Sequence, residues 1–161
     1  MTGLLLARDA DFLWMMGEDG CAAPHGLVLA EGGIEQAPVL DMLRGIAAEV
    51  AREFGDGAWI ITDSGEAVGL ISFIKTPDAD GAAEIGYGVA ASRRGRGYAA
   101  RAVVALVARL RDEGRLRALT AATATHNVAS QKVLIRAGFE QTGARHDAED
   151  GDMITWRLGL K

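Results

Sequence analysis

The chain has 161 residues, 49% of them hydrophobic, a formal net charge of -5 and one cysteine, which suits a single well-buried domain over residues 1–161 and is short for two. The acidic balance argues against a nucleic-acid partner, because neutralising phosphates takes a basic surface, and one cysteine allows no internal disulfide. No apolar run approaches the roughly 20 residues that span a bilayer, and the first residues lack the basic-then-apolar pattern of a secretory signal, so a cytoplasmic protein away from membranes is expected.

Residues 3–7 form a short apolar run closed by Arg8-Asp9, and Phe12, Leu13, Met15 and Met16 follow before Gly17; a strand and a short helix fit this pattern. Residues 18–36 turn irregular, punctuated by Gly20, Pro24, Gly26, Gly32 and Gly33, and a loop that long is usually functional or disordered. Cys21 and His25 lie in it without a neighbouring base and receive no role. After Pro38, Val39, Leu43, Ile46, Val50 and Phe54 recur at three- and four-residue steps until Gly55, which predicts an amphipathic helix with proline where a helix tolerates it best. Trp59-Ile60-Ile61-Thr62 and residues 68–74 read as strands joined by a turn at Asp63-Ser64-Gly65-Glu66. The second is apolar on both faces, as a central strand is.

Residues 84–105 are the stretch around which the chain is organised. Glu84-Ile85-Gly86-Tyr87-Gly88-Val89 alternates, placing Ile85, Tyr87 and Val89 on one face of a strand and Glu84, Gly86 and Gly88 on the other. Two glycines at alternate positions leave that second face nearly bare, which fits either a ligand approaching the sheet or a bulge and tight packing. Arg94, Gly97 and Ala99 then stand in an Arg-x-x-Gly-x-Ala turn ahead of an apolar-periodic helix containing Val103, Leu106, Val107 and Leu110. Small side chains let backbone N–H groups close on an anion, and the helix adds its positive dipole end. Arg93, Arg94 and Arg96 concentrate cations there in an acidic chain. The turn equally fits a plain connection with its arginines in solvent. No Lys-Ser or Lys-Thr follows the glycines, so a nucleotide-triphosphate loop is disfavoured, and the early, repeated setting of a dinucleotide fold is missing.

Gly114 ends that helix, residues 116–123 return as a strand, and Asn127 is placed to cap a helix running to about Ala137, with Gly138 at its C-cap. Phe139 opens a further strand. Ile154, Trp156, Leu158 and Leu160 alternate with Met153, Thr155 and Arg157 in a last, half-buried strand that pairs across a turn at residues 149–151. The scattered acids and histidines show no metal-ligand spacing, and nothing in the strands decides self-association.

With both motifs in view, the chain resembles the GNAT superfamily of acyl-CoA-dependent N-acetyltransferases. Arg94-Gly95-Arg96-Gly97-Tyr98-Ala99 matches its pyrophosphate loop, and Asn127-x-x-Ser130, Leu134 and Gly138-Phe139 match its later helix and turn. The second motif and the Glu84-Ile85-Gly86-Tyr87 opening are most similar to the RimJ/RimL-like branch of ribosomal-protein N-terminal acetyltransferases. The resemblance implies an α/β (α+β) fold, a mixed, mainly antiparallel twisted sheet flanked by helices. It implies acetyl-CoA as co-substrate, with the pantetheine arm along the strand at Val89, the pyrophosphate on Arg94, Gly95, Arg96, Gly97, Tyr98 and Ala99, and Asn127 touching the cofactor or simply capping its helix. The acceptor would be a protein or peptide α-amine or a small-molecule amine that attacks the thioester directly, with the loop of residues 18–36 as a flap beside it.

Direct attack needs a neutral amine. At pH 7 deprotonation costs about 4.6 kcal/mol for a lysine-like amine and about 1 to 1.4 kcal/mol for an α-amine. Glu84 is the candidate base, since it is the one acid on the bare face; it also fits an acceptor contact or a structural carboxylate. Many relatives protonate the thiolate from a tyrosine four residues before the Gly-Phe pair, a position held here by Leu134. Ser130, one turn earlier, is the RimJ/RimL-like candidate for that duty, against the reading of a back-bonding helix serine. Ala122 stands where some relatives carry a glutamate. His126 and His146 are further acceptor contacts or ordinary surface histidines. The alternative function is a non-catalytic acyl-CoA-binding module.

Overall fold

The computed structural model describes residues 1–161. Strands β1 (Thr2–Leu6), β2 (Val28–Leu29), β3 (Ala58–Asp63), β4 (Glu66–Phe73), β5 (Ala82–Val89), β6 (Ala118–Ala124), β7 (Glu140–Asp147) and β8 (Gly151–Gly159) form one sheet. Four helices flank it: α1 (Asp9–Met15), α2 (Ala37–Glu53), α3 (Tyr98–Glu113) and α4 (Val128–Ala137). The order across the sheet is β1-β3-β4-β5-β6-β8-β7, with β2 beside β4. Only β2–β4 and β5–β6 are parallel, so the mixed, mainly antiparallel sheet expected from the sequence is the observed one. No helix is long and apolar enough to cross a membrane.

Alternation along the strands divides the core in two. Trp59 and Ile61 of β3, Ile71 and Phe73 of β4 and Ile85 of β5 face α3 and α4, where Leu106 and Leu134 are fully buried among them. Ala58, Ile60 and Leu70 face the other way, onto Phe12, Ile34 and Leu40. The β3–β4 turn closes through Ser64 at φ 50° and Gly65 at φ 81°, two left-handed residues in succession as the twist of a two-residue hairpin requires. Residues 18–36 are more ordered than their glycines suggested: Val28–Leu29 adds to β4, and Leu27, Leu29, Ala30 and Ile34 pack on the α1–α2 side.

Helix α2 spans the predicted segment and keeps most of the predicted stripe inward, with Val50 buried and Leu43, Ile46 and Phe54 packed against the cores; only its first member departs. Leu40 is 0% exposed while Val39 is 37% exposed. Val39 borders a recess that it shares with Ile74 and with Gly88 of β5, above which a Cβ would meet nothing within 4 Å.

A large-to-small change at Leu40 leaves a cavity that its neighbours only partly fill. Leu40→Ala should therefore cost about 2–5 kcal/mol of stability, and Val39→Ala should stay within about 0.5 kcal/mol, as read from urea denaturation midpoints.

Candidate active site

Strands β5 and β6 are hydrogen-bonded only from Ala82↔Ala118 to Glu84↔Thr120. Beyond that point β5 runs on to Val89 and β6 to Ala124 without pairing to each other, so the sheet forks. A wedge of about 340 Å³ opens in the fork, bordered by Gly86, Tyr87, Ala122, His126, Ser130 and Asp150. A longer cleft of about 650 Å³ continues from it between the end of β5, the start of α3 and one side of α4.

The turn entering α3 has the geometry its glycines predict. Gly95 and Gly97 take φ of 77° and 80°, and Gly97 caps α3 with no side-chain hydrogen bond, so the first-turn N–H groups have no side-chain acceptor and face a cationic recess. Of the sequence-predicted cofactor residues, Val89, Arg94, Gly95, Gly97, Tyr98, Ala99 and Asn127 all border this cleft, as does Ser130. Arg96 is exposed and does not border it. Tyr98 contributes its backbone and ring edge, while its hydroxyl turns inward and donates to Asp63 Oδ2 at 3.0 Å.

The arginines divide their labour. Arg93 makes a bidentate pair with Glu66, Nε to Oε1 at 2.6 Å and Nη2 to Oε2 at 3.0 Å, so its charge is already matched. Arg94 leans on the Val89 carbonyl oxygen through Nε at 3.3 Å and is otherwise free. Lys132 and Arg136 of α4 supply the other cations of the cleft. Sequence reasoning missed them, although Ala129, Lys132, Val133 and Arg136 repeat at i, i+3, i+4 and i+7 and so share one helix face.

Ser130 is not isolated. Its Oγ lies 2.8 Å from the Tyr87 hydroxyl, which also donates to the Ser130 carbonyl oxygen at 3.2 Å. Burial holds the Tyr87 phenol above its ordinary pKa, and the bond to Ser130 offsets part of that shift, so Tyr87 remains a neutral proton carrier. The strand's alternation put Tyr87 on the right face in sequence; its partner on α4 was legible only in three dimensions. Asn127 accepts the Ser130 N–H at Oδ1, 3.1 Å, and thus acts as the predicted N-cap.

Glu84 stands apart from both the wedge and the cleft. It is 7% exposed, and its two oxygens accept from Nη1 and Nη2 of Arg145 on β7 at 3.2 and 3.0 Å. The carboxylate in turn holds the Arg145 guanidinium above its ordinary pKa. Of the three readings of Glu84, this pairing fits the structural carboxylate.

Comparison with known proteins agrees with the geometry. Residues 31–140 match the acetyltransferase (GNAT) domain. A 91-residue stretch is 32% identical to the ribosomal-protein-serine acetyltransferase of Escherichia coli, covering 56% of this chain and 51% of that protein. Another of 87 residues is 34% identical to the uncharacterized N-acetyltransferase YjdG of Bacillus subtilis, covering 53% of this chain and 52% of that one. The chain therefore matches about half the length of these curated relatives. The fold likeness is broader: RimL, a ribosomal-protein α-N-acetyltransferase solved with coenzyme A, has a TM-score of 0.73 over 98% of this chain and 93% of its own, at 19% identity.

The Arg93–Glu66 pair anchors the turn and carries a pH signature. The Arg93 guanidinium holds the Glu66 carboxyl below the usual carboxylate range, against a smaller opposing effect of burial. Its stabilisation is thus complete above the unfolded value of about 4.3 and is lost as pH falls through the depressed folded value. The thermal midpoint of the natural chain should fall more steeply between pH 5 and pH 3 than that of Glu66→Gln.

Proposed function

The chain belongs to the acetyltransferase (GNAT) domain family, with RimJ/RimL-like relatives, and on that premise we propose that residues 1–161 form one domain that moves an acetyl group from acetyl-CoA to a primary amine. One observation carries the reading: the fork between β5 and β6 brings the cationic cleft at the α3 N-terminus to the Tyr87–Ser130 hydroxyl pair. An anion site at one end and a proton donor at the other suit a long phosphate-bearing thioester.

The residues present fit that co-substrate. The first-turn N–H groups of α3, with Arg94, Lys132 and Arg136, would hold the phosphates. Gly95 and Gly97 keep side chains out of the way, and Val89 marks where the strand meets the cleft. Acetyl-CoA supplies an activated acyl carbon; the neutral amine's nitrogen bonds to it as the carbon–sulfur bond breaks, the nitrogen sheds one proton to solvent, and the sulfur takes one from Ser130, which regains it from solvent directly or through the Tyr87 hydroxyl. Ser130, oriented by Tyr87 and by its N–H bond to Asn127, is placed to donate a proton to the departing sulfur. A thiolate is a stable leaving group, so this donation is a modest aid and no strong acid is needed.

Glu84, held by Arg145, contributes to the architecture of the fork and is not assigned the proton. With no unpaired carboxylate bordering Tyr87 and Ser130 except Asp150, an acceptor of low pKa suits the site best, because an α-amine needs only about 1 to 1.4 kcal/mol to become neutral at pH 7. A peptide or small-molecule amine used in the cytoplasm is consistent with this chemistry.

Thiol release from acetyl-CoA, measured against a panel of amines, tests the function. Arg94→Ala should weaken acetyl-CoA binding by about tenfold or more, the scale of a lost hydrogen bond to a charged group. Ser130→Ala and Tyr87→Phe should lower kcat while leaving the acetyl-CoA Kd nearly unchanged. Binding that depends on Arg94 without turnover of any amine would make the chain a binding module.

A separate readout addresses the ion pair. Glu84→Gln removes the charge at the buried end of the pair while Arg145, 43% exposed, stays within reach of water, so it should lower the thermal midpoint slightly and leave the shape of the kcat–pH profile intact; loss of the acidic limb of that profile would restore Glu84 as the base.

A further inference from the structure

A second cavity, of about 180 Å³, lies on the face of β5 opposite the cationic cleft, between the sheet and the start of α2. Its walls are mostly aliphatic, formed by Ile34, Val39, Leu43, Leu70 and Ile74, with the buried Ser72 as the one side-chain hydroxyl among them besides that of Tyr87. Its floor is the bare strand: a Cβ at Gly88 would meet nothing within 4 Å, so the space above it is open. Gly86 and Tyr87 border both this cavity and the wedge beside Ser130. A group seated here therefore lies next to the reacting end of the site, across the one part of β5 that carries no side chain on this face.

The one charged side chain bordering the cavity is Glu35. It is exposed and forms no ion pair; its Oε1 accepts the neighbouring Gln36 N–H at 2.9 Å. The loop that delivers it, residues 18–36, carries Glu18, Asp19, Glu31 and Glu35 and no lysine or arginine. The approach is thus negative while the interior is apolar.

Resting on the reading of the chain as an amine acetyltransferase, we propose that its acceptor is a primary amine bearing a medium-sized apolar group and a single positive charge, with no carboxylate beside the amine. The apolar group fills the cavity above Gly88, beside Ile74, which already covers Gly86, and each buried methylene there strengthens binding by about fourfold. A polyamine or an aminoglycoside would bring several cations to a cavity bordered by one carboxylate, Glu35, so the others would lie unpaired against mostly aliphatic walls, which is costly. A free amino acid would bring its carboxylate towards Glu35 and the acidic loop, where like charges repel. Val39, exposed on α2 and facing no partner side chain, is a specificity-determining residue on this account, and Glu35 is the second.

Both a branched aliphatic amine and a peptide with an apolar first residue offer this chemistry. The test measures kcat/KM by thiol release for leucinamide, alaninamide, isoamylamine, a leucine-initiated tripeptide, free leucine, spermidine and an aminoglycoside, alongside the acetyl-CoA Kd. Leucinamide should exceed alaninamide by roughly tenfold or more, and exceed free leucine, spermidine and the aminoglycoside by at least as much. Val39→Trp, which fills the cavity from an exposed helix position, should erase the advantage of leucinamide over alaninamide with the acetyl-CoA Kd and thermal midpoint unchanged. Glu35→Gln should narrow the gap between leucinamide and free leucine. A tripeptide faster than isoamylamine supports the proposal with a peptide acceptor, and the reverse supports it with a small amine. Preference for the polycations, or a leucinamide-to-alaninamide ratio untouched by Val39→Trp, overturns the inference while leaving acetyl transfer in place. Failure to bind acetyl-CoA, or thiol release with none of the amines, overturns the underlying function and this inference with it.

Discussion

The site depends on β5 parting from β6 after only three paired residues on each strand. A parallel pair normally continues until one strand ends, because each unpaired backbone group forfeits a hydrogen bond. Here both strands run on for several residues beyond Glu84 and Thr120 with the space between them open. The crotch of the fork is fixed by the Glu84–Arg145 pair, which reaches from β5 across β6 and β8 to β7 on the edge of the sheet. A carboxylate at the last paired position, held from a third strand, opposes closure of the gap by further pairing and also its lengthening by fraying. With Glu84 buried and Arg145 half-exposed, such a pair contributes little net stability and is better suited to fixing a geometry than to strengthening the fold.

The cleft that extends from the fork is kept in shape by acids that never touch it. Glu66 and Asp63, at the two ends of the β3–β4 turn, hold Arg93 and the Tyr98 hydroxyl on either side of the Arg94-Gly95-Arg96-Gly97 turn. Ser92 Oγ donates to the Glu31 carbonyl oxygen at 2.6 Å and ties the same turn to the loop before α2. Glycine-rich backbone that must present N–H groups to an anion has much conformational freedom to lose. Clamping its flanks lowers that loss at the moment of binding. An acidic chain can thus support a local cationic cleft, because its acids engage the arginine that positions the turn and leave Arg94, Lys132 and Arg136 unmatched.

The order of strands and helices was legible from periodicity and punctuation, since long apolar-periodic stretches bounded by Gly, Pro and Asn leave few alternatives. The turn before α3 was legible because Gly95 and Gly97 are required by its left-handed backbone. What the sequence withheld were pairings between distant segments. Tyr87 with Ser130, Glu84 with Arg145 and Arg93 with Glu66 are separated by 43, 61 and 27 residues, and side-chain type alone does not select among many available partners. The exposure of Val39 at the start of α2 has the same origin: it borders a recess left open by Gly88, on a strand far along the chain.

Those glycines give β5 two unlike faces, and the division follows from the period of the strand. Ile85, Tyr87 and Val89 point towards α3 and α4, where Ile85 seals the core, Tyr87 holds Ser130 and Val89 borders the cationic cleft. Glu84, Gly86 and Gly88 point the other way, where Glu84 fixes the fork and the two glycines leave an apolar recess. A side chain at Gly88 would narrow the recess without disturbing the cleft's cations, and a change at Tyr87 would remove the hydroxyl bonded to Ser130 without filling the recess. One six-residue segment therefore sets the hydroxyl pairing on one side and the shape of the recess on the other, and because its side chains alternate, the two properties can vary independently along the same strand.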